Sequence, residues 1–424
     1  MTFRAGAFCA RPSFTDETRM SLSLKVRIAG LCGLLMSPLV QADFSIPGFE
    51  LVHTVPVDTA LGTADLRQPG PVWIELFDGA KSRIDIGQFY AADHPGSVMD
   101  TVIEHLEAAG KRGVKIRFLL EEKGVKLSEA STLERLRAIP NLTFRVLPYA
   151  KLSGGIIHAK YMVVDGKQAF IGSQNFDWRS LEHIHETGLR SPDPTVGSQV
   201  QAIFEQDWKA QQAVANNQPV PLPASSKEPP RTGNYLVASP QRYNPPGVGD
   251  SQLELPRLLS EAKHEVRVQL LDYAPLSYGP DKTRPYYAVI DNAVRAAAAR
   301  GVSIKLMVSN WNTEALELPY LKSLAVLPNV EVKIVTLPEA KQGFIPYARV
   351  IHSKTMEIDG QVAWVGTSNW LGGYFDNSRN LEVVMRSEAM AKRVGDLHEQ
   401  LWDGPYAKAL EVTSEYPQPH PGKP

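Results

Sequence analysis

Two stretches of the chain carry the same reactive side chains at the same spacing. The first reads Ile157-His158-Ala-Lys160-Tyr-Met-Val-Val-Asp165-Gly166 and continues to Gly172-Ser173-Gln-Asn175. The second reads Ile351-His352-Ser-Lys354-Thr-Met-Glu-Ile-Asp359-Gly360 and continues to Gly366-Thr367-Ser368-Asn369. Both fit His-x-Lys-x4-Asp-x6-Gly-Ser/Thr-x-Asn without insertion. Six fixed residues, each at roughly one in twenty, give about 10⁻⁵ chance matches in a chain of this length, so two collinear copies are not coincidence. A phosphodiester repels anionic nucleophiles. A neutral imidazole nitrogen can attack its phosphorus, and lysines can neutralise its oxygens. Each copy presents an imidazole, an ammonium, a hydroxyl and an amide, which is half of a phosphate-handling site.

Those residues must be positioned by strands. Side chains at i and i+2 share a strand face, so His158 projects with Lys160 and His352 with Lys354. Asp165-Gly166 and Asp359-Gly360 are hairpin-turn pairs, and the strands that follow bring Ser173, Asn175, Thr367 and Asn369 back beside the His and Lys. An aspartate before glycine at such a turn has a structural reading as well as a catalytic one. The repetition extends outward. Lys81-Ser-Arg-Ile-Asp-Ile leads to an amphipathic helix closed by Arg112-Gly113-Val114. Lys263-His-Glu-Val-Arg-Val leads to another closed by Arg300-Gly301-Val302. Copies lie 194 residues apart at both His158/His352 and Trp208/Trp402. Strands alternating with helices predict an α/β fold in two homologous halves, each a mixed sheet flanked by helices, packed about a pseudo-two-fold axis. The expected halves are residues 43–218 and 257–410. Residues 219–256, with nine prolines, read as a linker or crossover, and residues 411–424 as a disordered tail.

Composition narrows the function classes. The 424 residues include 45 Lys plus Arg against 46 Asp plus Glu, a formal charge of −1, which excludes a surface that coats nucleic acid wholesale. Any polyanion is met by a local positive pocket. Lys25 and Arg27 precede an apolar run over residues 28–40 that ends in Val40-Gln41-Ala42, the pattern of an export signal cleaved before Asp43. Both cysteines, Cys9 and Cys32, fall within it, so no disulfide framework or cysteine zinc site is expected. No later segment approaches 18 uninterrupted apolar residues, so none is expected to span a bilayer, and the expected location is periplasmic or extracellular. The remaining histidines form no ligand spacing, so neither a metal nor another cofactor is called for.

In these motifs the chain resembles the phospholipase D superfamily, whose His-Lys-Asp motif is duplicated in the same way, over about residues 50–410. Finer features resemble the animal lysosomal single-strand 5′-exonucleases and their poxviral relatives. They are Asn175-Phe-Asp-Trp178-Arg-Ser-Leu181, Ile345-Pro-Tyr-Ala-Arg-Val350 and Gly366-Thr-Ser-Asn-Trp370-x-Gly-Gly-Tyr374-Phe375. The resemblance implies a metal-independent phosphodiesterase with a phosphohistidine intermediate. In it His158 is the nucleophile, His352 the acid and base, and Lys160, Asp165, Lys354 and Asp359 complete the motif. It further implies that Ser173, Asn175, Thr367 and Asn369 orient phosphate oxygens, and that Glu186 and Glu382 each hold an imidazole. The substrate is a single-stranded nucleic acid or a phospholipid. The nuclease reading uses Trp178, Trp311, Trp370, Tyr374 and Phe375 as base-stacking platforms. The lipase reading needs an apolar rim or a basic interfacial helix, and no Lys/Arg-rich amphipathic stretch occurs. A non-catalytic polyanion-binding module would usually have lost a motif His or Lys, and none is lost. Oligomeric state is not encoded legibly.

Overall fold

The computed structural model describes residues 43–224, 232–278 and 283–423; the expected export signal lies outside them. The two helices anticipated from the repeat show why its residues recur. In Val98–Lys111, Met99, Val102, Ile103 and Leu106 fall on one buried face, Ser97 caps the N-terminus by accepting the Asp100 N–H, and Gly113 follows at φ +91°. In Val289–Ala299 the buried face is Ile290, Val294, Ala297 and Ala298, and Gly301 follows at φ +92°. Both glycines occupy the left-handed region that lets the chain turn directly into the next strand.

Each half builds a mixed sheet. In spatial order the eight-stranded sheet runs Ser45–Ile46, Phe49–Thr54, Glu186–Ser191, Gln168–Gly172, Tyr161–Val164, Arg83–Gln88, Lys115–Glu121 and Leu142–Leu147. The nine-stranded sheet runs Gly249–Asp250, Asn234–Ser239, Asn380–Met385, Val362–Gly366, Thr355–Ile358, Glu265–Gln269, Ser303–Ser309, Val330–Val335 and Ala407–Ala409. From Phe49–Thr54 onward in the first sheet and from Asn234–Ser239 in the second, order and direction coincide. Four antiparallel pairings are followed by two parallel ones. Leu51, Ile171 and Leu189 of the first sheet share one core with Leu236, Val365, Leu381 and Val383 of the second. Each such side chain contributes roughly 1.5–3 kcal/mol on burial, so the halves are joined by their apolar faces.

Two expectations about chain organisation need correction. Within the expected linker, Tyr235-Leu-Val-Ala-Ser is buried throughout and forms most of the strand Asn234–Ser239, paired on both edges. Residues 251–261 form the helix Ser251–Glu261 with Pro256 inside it. An interior proline costs about 3 kcal/mol, which burial of Leu255, Leu258 and Leu259 outweighs. The expected disordered tail instead packs. Tyr416 lies against the second-half core, and Pro417 and Pro421 accept hydrogen bonds from Thr313 and Tyr347. Proline density excludes regular hydrogen-bonded structure in such a segment, but not ordered contact.

Candidate active site

The His-x-Lys segments immediately precede the strands Tyr161–Val164 and Thr355–Ile358, and each is pinned by the other half. The N–H groups of His158 and Ala159 donate to the Arg379 carbonyl at 3.0 and 2.8 Å. Those of His352 and Ser353 donate to the His185 carbonyl at 2.8 and 3.1 Å. His185 and Arg379 stand 194 residues apart, so the exchange is reciprocal. It brings both histidines to one cleft of about 500 Å³, lined also by Asn175 and Asn369. Lys160 and Lys354 lie almost wholly buried behind it, each ammonium donating to the carbonyl of its own motif histidine.

The two imidazoles have different partners. His352 Nδ1 meets Glu186 Oε2 at 2.8 Å, as expected for Glu186. His158 Nδ1 meets Asn380 Oδ1 at 3.1 Å. Three bonds orient that amide. Asn380 Nδ2 donates to the Tyr374 carbonyl, so Oδ1 faces His158. Thr367 accepts the Leu381 N–H and donates its own hydroxyl to Oδ1. His158 therefore carries its proton on Nδ1 and leaves the Nε2 lone pair free.

Glu382 does not hold His158, contrary to expectation. It lies opposite Gly366, at the position Gly188 occupies opposite Gly172, and accepts bonds from Ser251 and Ser368. The residue 194 after Glu186 is Asn380; following that offset finds the partner that similarity of residue type concealed. Ser173 and Thr367 also differ from expectation. Neither lines the cleft; Ser173 bonds the Thr187 backbone in both directions, and Thr367 fixes Asn380. Asn175 and Asn369 line the cleft, the Asn175 amide oxygen buried without a protein partner and Asn369 in hydrogen-bonding contact with the Tyr374 hydroxyl. Asp165 and Asp359 take the structural role. At φ +52° and +53° they close their hairpins and accept backbone N–H bonds from residues 81–83 and 263–265 at 2.7–2.8 Å. Glu121, which the sequence reading overlooked, accepts the Ile157 N–H at 2.7 Å and steadies the approach to His158.

Burial sets the charge state. It draws His352 down to about 4 against the pull of Glu186, and carries His158 well below the ordinary imidazole value, helped by Lys160 and Lys354. Burial also lowers Lys354 to about 7 and Lys160 well below its usual range. Glu186 stays below the usual carboxylate range: burial would raise it, but His352 and Lys354 outweigh that. Two crowded lysines of depressed basicity, with an open amide beside them, form a site that an anion would complete.

A family model for the cardiolipin synthase, PLD-like domain matches residues 73–208 and 255–402, spanning both motif copies. The chain belongs to the phospholipase D-like family. It is similar to a probable phospholipase D of Caenorhabditis elegans, F09G2.8, 29% identical over 395 residues that cover 85% of this chain and 70% of that protein. It is similar also to the 5′-3′ exonuclease PLD3 of Xenopus laevis, 29% identical over 414 residues covering 87% and 82%. The fold is that of a phosphatidylserine synthase from Haemophilus influenzae Rd KW20, with a TM-score of 0.56 at 11% identity over 80% of this chain and 85% of that one.

Around this phospholipase D-like centre the cleft wall is aromatic. Tyr374 lies edge-on to His158 at 4.7 Å between ring centroids and Phe89 at 5.7 Å; Trp311 and Tyr347 line the wall as well. Trp370 and Phe375, expected as platforms, are instead core residues. Trp178 packs half-buried against His94 and His183. Among the described residues no helix is long and apolar enough to cross a membrane, and no group of three or more His, Cys, Asp or Glu could hold a metal ion.

Proposed function

We propose that the chain is a phosphodiesterase that works through a phosphohistidine on His158, with single-stranded nucleic acid cleaved from the 5′ end as its substrate. The difference between the imidazole partners carries the mechanism. A neutral amide leaves His158 a neutral nucleophile, whereas the Glu186 carboxylate opposes the loss of basicity that burial imposes on His352, and a bound phosphate anion would raise that basicity further, toward the protonated form that proton transfer needs. The Nε2 lone pair of His158 forms the bond to phosphorus as the bond to the leaving oxygen breaks, and the Nε2 proton of His352 passes to that oxygen. Neutral His352 then takes a proton from water, whose oxygen displaces His158 and regenerates both imidazoles. Lys160, Lys354, Asn175 and Asn369 hold the phosphoryl oxygens.

Substrate class rests on the aromatic wall beside the nucleophile and on similarity to a 5′-3′ exonuclease over most of its length. Exposed Leu127 and Tyr347 at the cleft favour a second reading, a phospholipase or headgroup transferase whose apolar rim meets lipid. The basic flank and apolar run of residues 25–40 support action after export. The deciding assay sets 5′-hydroxyl single-stranded DNA beside phosphatidylglycerol micelles, both in excess EDTA. The proposal expects 3′-mononucleotides from the first and undiminished turnover. Lipid cleavage with intact oligonucleotide would hand the site to the second reading, and activity restored only by Mg²⁺ or Zn²⁺ would refute the metal-independent mechanism.

A further inference from the structure

The C-terminal segment takes no part in the chemistry, yet it grips the two loops that carry the outer cleft wall. After the edge strand Ala407–Ala409, Tyr416 seats on the second-half core. Pro417 then accepts the Thr313 hydroxyl at 2.9 Å, and Gln418 Oε1 accepts the Ala315 N–H at 3.2 Å, which fastens the loop bearing Trp311. Farther on, the Pro421 carbonyl accepts the Tyr347 N–H at 2.7 Å. A Cβ on Gly422 would stand 2.6 Å from the Tyr347 hydroxyl oxygen. Trp311 lines both the active cleft and a cavity of about 170 Å³ walled on its other side by Pro419, His420 and Pro421.

Tyr347 is unusual in two respects. The residue is 57% exposed and lines the cleft, and its backbone sits at φ +58°, a region costly for a residue with a Cβ. An exposed aromatic ring held in a strained conformation by a strap from elsewhere in the chain is placed for contact with something outside the protein. We infer that residues 417–423 set the aromatic wall, and that Tyr347, held by them, determines specificity by stacking on a nucleobase beside the scissile phosphate. The inference rests on the nucleic-acid reading of the site. The strap itself is a positioning element, since it acts through Tyr347 and Trp311.

The test compares the full chain with a chain stopped after Tyr416, with Gly422→Val, and with Tyr347→Ala and Tyr347→Phe. The substrates are a 5′-hydroxyl oligothymidylate and the same oligomer made abasic at the nucleotides flanking the first scissile phosphate. Stacking on one base corresponds to roughly a 5- to 150-fold effect, so truncation should raise KM on the base-bearing oligomer about tenfold. Its kcat, and both constants on the abasic oligomer, should stay within about twofold of the full chain. Gly422→Val should act in the same direction and serves if truncation impairs folding. Tyr347→Ala should erase the preference for a base, and Tyr347→Phe should keep it. Equal losses on both oligomers would make the strap a scaffold only, and no change on either would remove it from recognition; each overturns the inference. Failure of the full chain to cleave any oligomer would overturn the nucleic-acid reading beneath it.

Discussion

Replacing Glu186 by Gln tests whether the unequal imidazole partners assign the chemical roles. The substitution keeps the shape of the 2.8 Å contact with His352 Nδ1 and removes its charge. Burial already draws His352 down to about 4, with Glu186 the main opposing influence. Unit charges about 4 Å apart at an effective dielectric near 20 interact by about 4 kcal/mol, the upper bound for the loss. Exchanging a charged for a neutral hydrogen bond costs about 1–1.5 kcal/mol, the lower bound. At 1.36 kcal/mol per pKa unit, His352 should become less basic by roughly one to three units. Proton delivery to an alkoxide should slow about 10- to 1000-fold, whereas departure of p-nitrophenolate needs no proton and should not slow. Rapid mixing with a p-nitrophenyl diester should show a burst near one equivalent at close to the normal rate, then slow turnover because water activation has lost its base. Single-turnover cleavage of a dinucleotide should fall by at least about tenfold. A burst slowed in the same proportion as the dinucleotide reaction would refute the division of roles.

Three further outcomes follow from the same geometry. Lys354, lowered by burial to about 7, is charged below that pH and neutral above it, so kcat/KM should fall as pH rises through 7; a rate that climbs to about pH 9 would contradict its part in neutralising the substrate. A diester labelled on its retained side, quenched on His352→Asn and mapped by peptide, should place the label on the His158 peptide, and label on the His352 peptide of a His158→Asn variant would reverse the assignment. Asp165→Ala should lower stability by about 1–2 kcal/mol, read by urea titration, with turnover per folded molecule unchanged, because it strands backbone N–H groups at a partly exposed turn. The Asp165 carboxylate is held at about 2 by Ser82 and the neighbouring N–H groups against the opposing effect of burial, so its contribution is present above the ordinary carboxylate pKa and is lost as pH falls through about 2.

The reactive core of the site was legible because the chemistry fixes residue types at fixed spacing. His158, Lys160, His352, Lys354, Asn175 and Asn369 could be read directly; the reciprocal backbone clasp draws the two histidines to one cleft, which Asn175 and Asn369 also line. Glu186 was legible, but its actual counterpart was not, because an amide does not look like the acid sought at that position; the 194-residue offset held the answer. Ser173 and Thr367 share the motif yet turn to the backbone and to Asn380, because the strands end at Gly172 and Gly366 and the residues beyond them no longer follow the two-residue alternation of a strand. Closeness in sequence to a motif also failed for Trp370 and Phe375, which point into the second-half core, while Tyr347, five residues before His352, reaches the cleft. The strand Asn234–Ser239 and the packed tail were obscured by proline density, a guide to backbone hydrogen bonding that says nothing about long-range burial.

Duplication alone yields two equivalent histidines, and phosphodiester cleavage by the proposed route requires inequivalent ones. Nearly everything that places the imidazoles here is symmetric: the sheet order, the hairpin aspartates, the lysine-to-carbonyl bonds and the reciprocal backbone clasp from residues 185 and 379. The inequivalence that bears on proton position enters at one corresponding pair, Glu186 and Asn380, and each acts on the histidine of the opposite half. Neither half therefore contains a complete acid–base unit. The shared apolar core that joins the sheets is, for that reason, part of the catalytic apparatus: a shift of one sheet over the other by even 1 Å would break a charge-assisted contact on one side and a tautomer-fixing contact on the other.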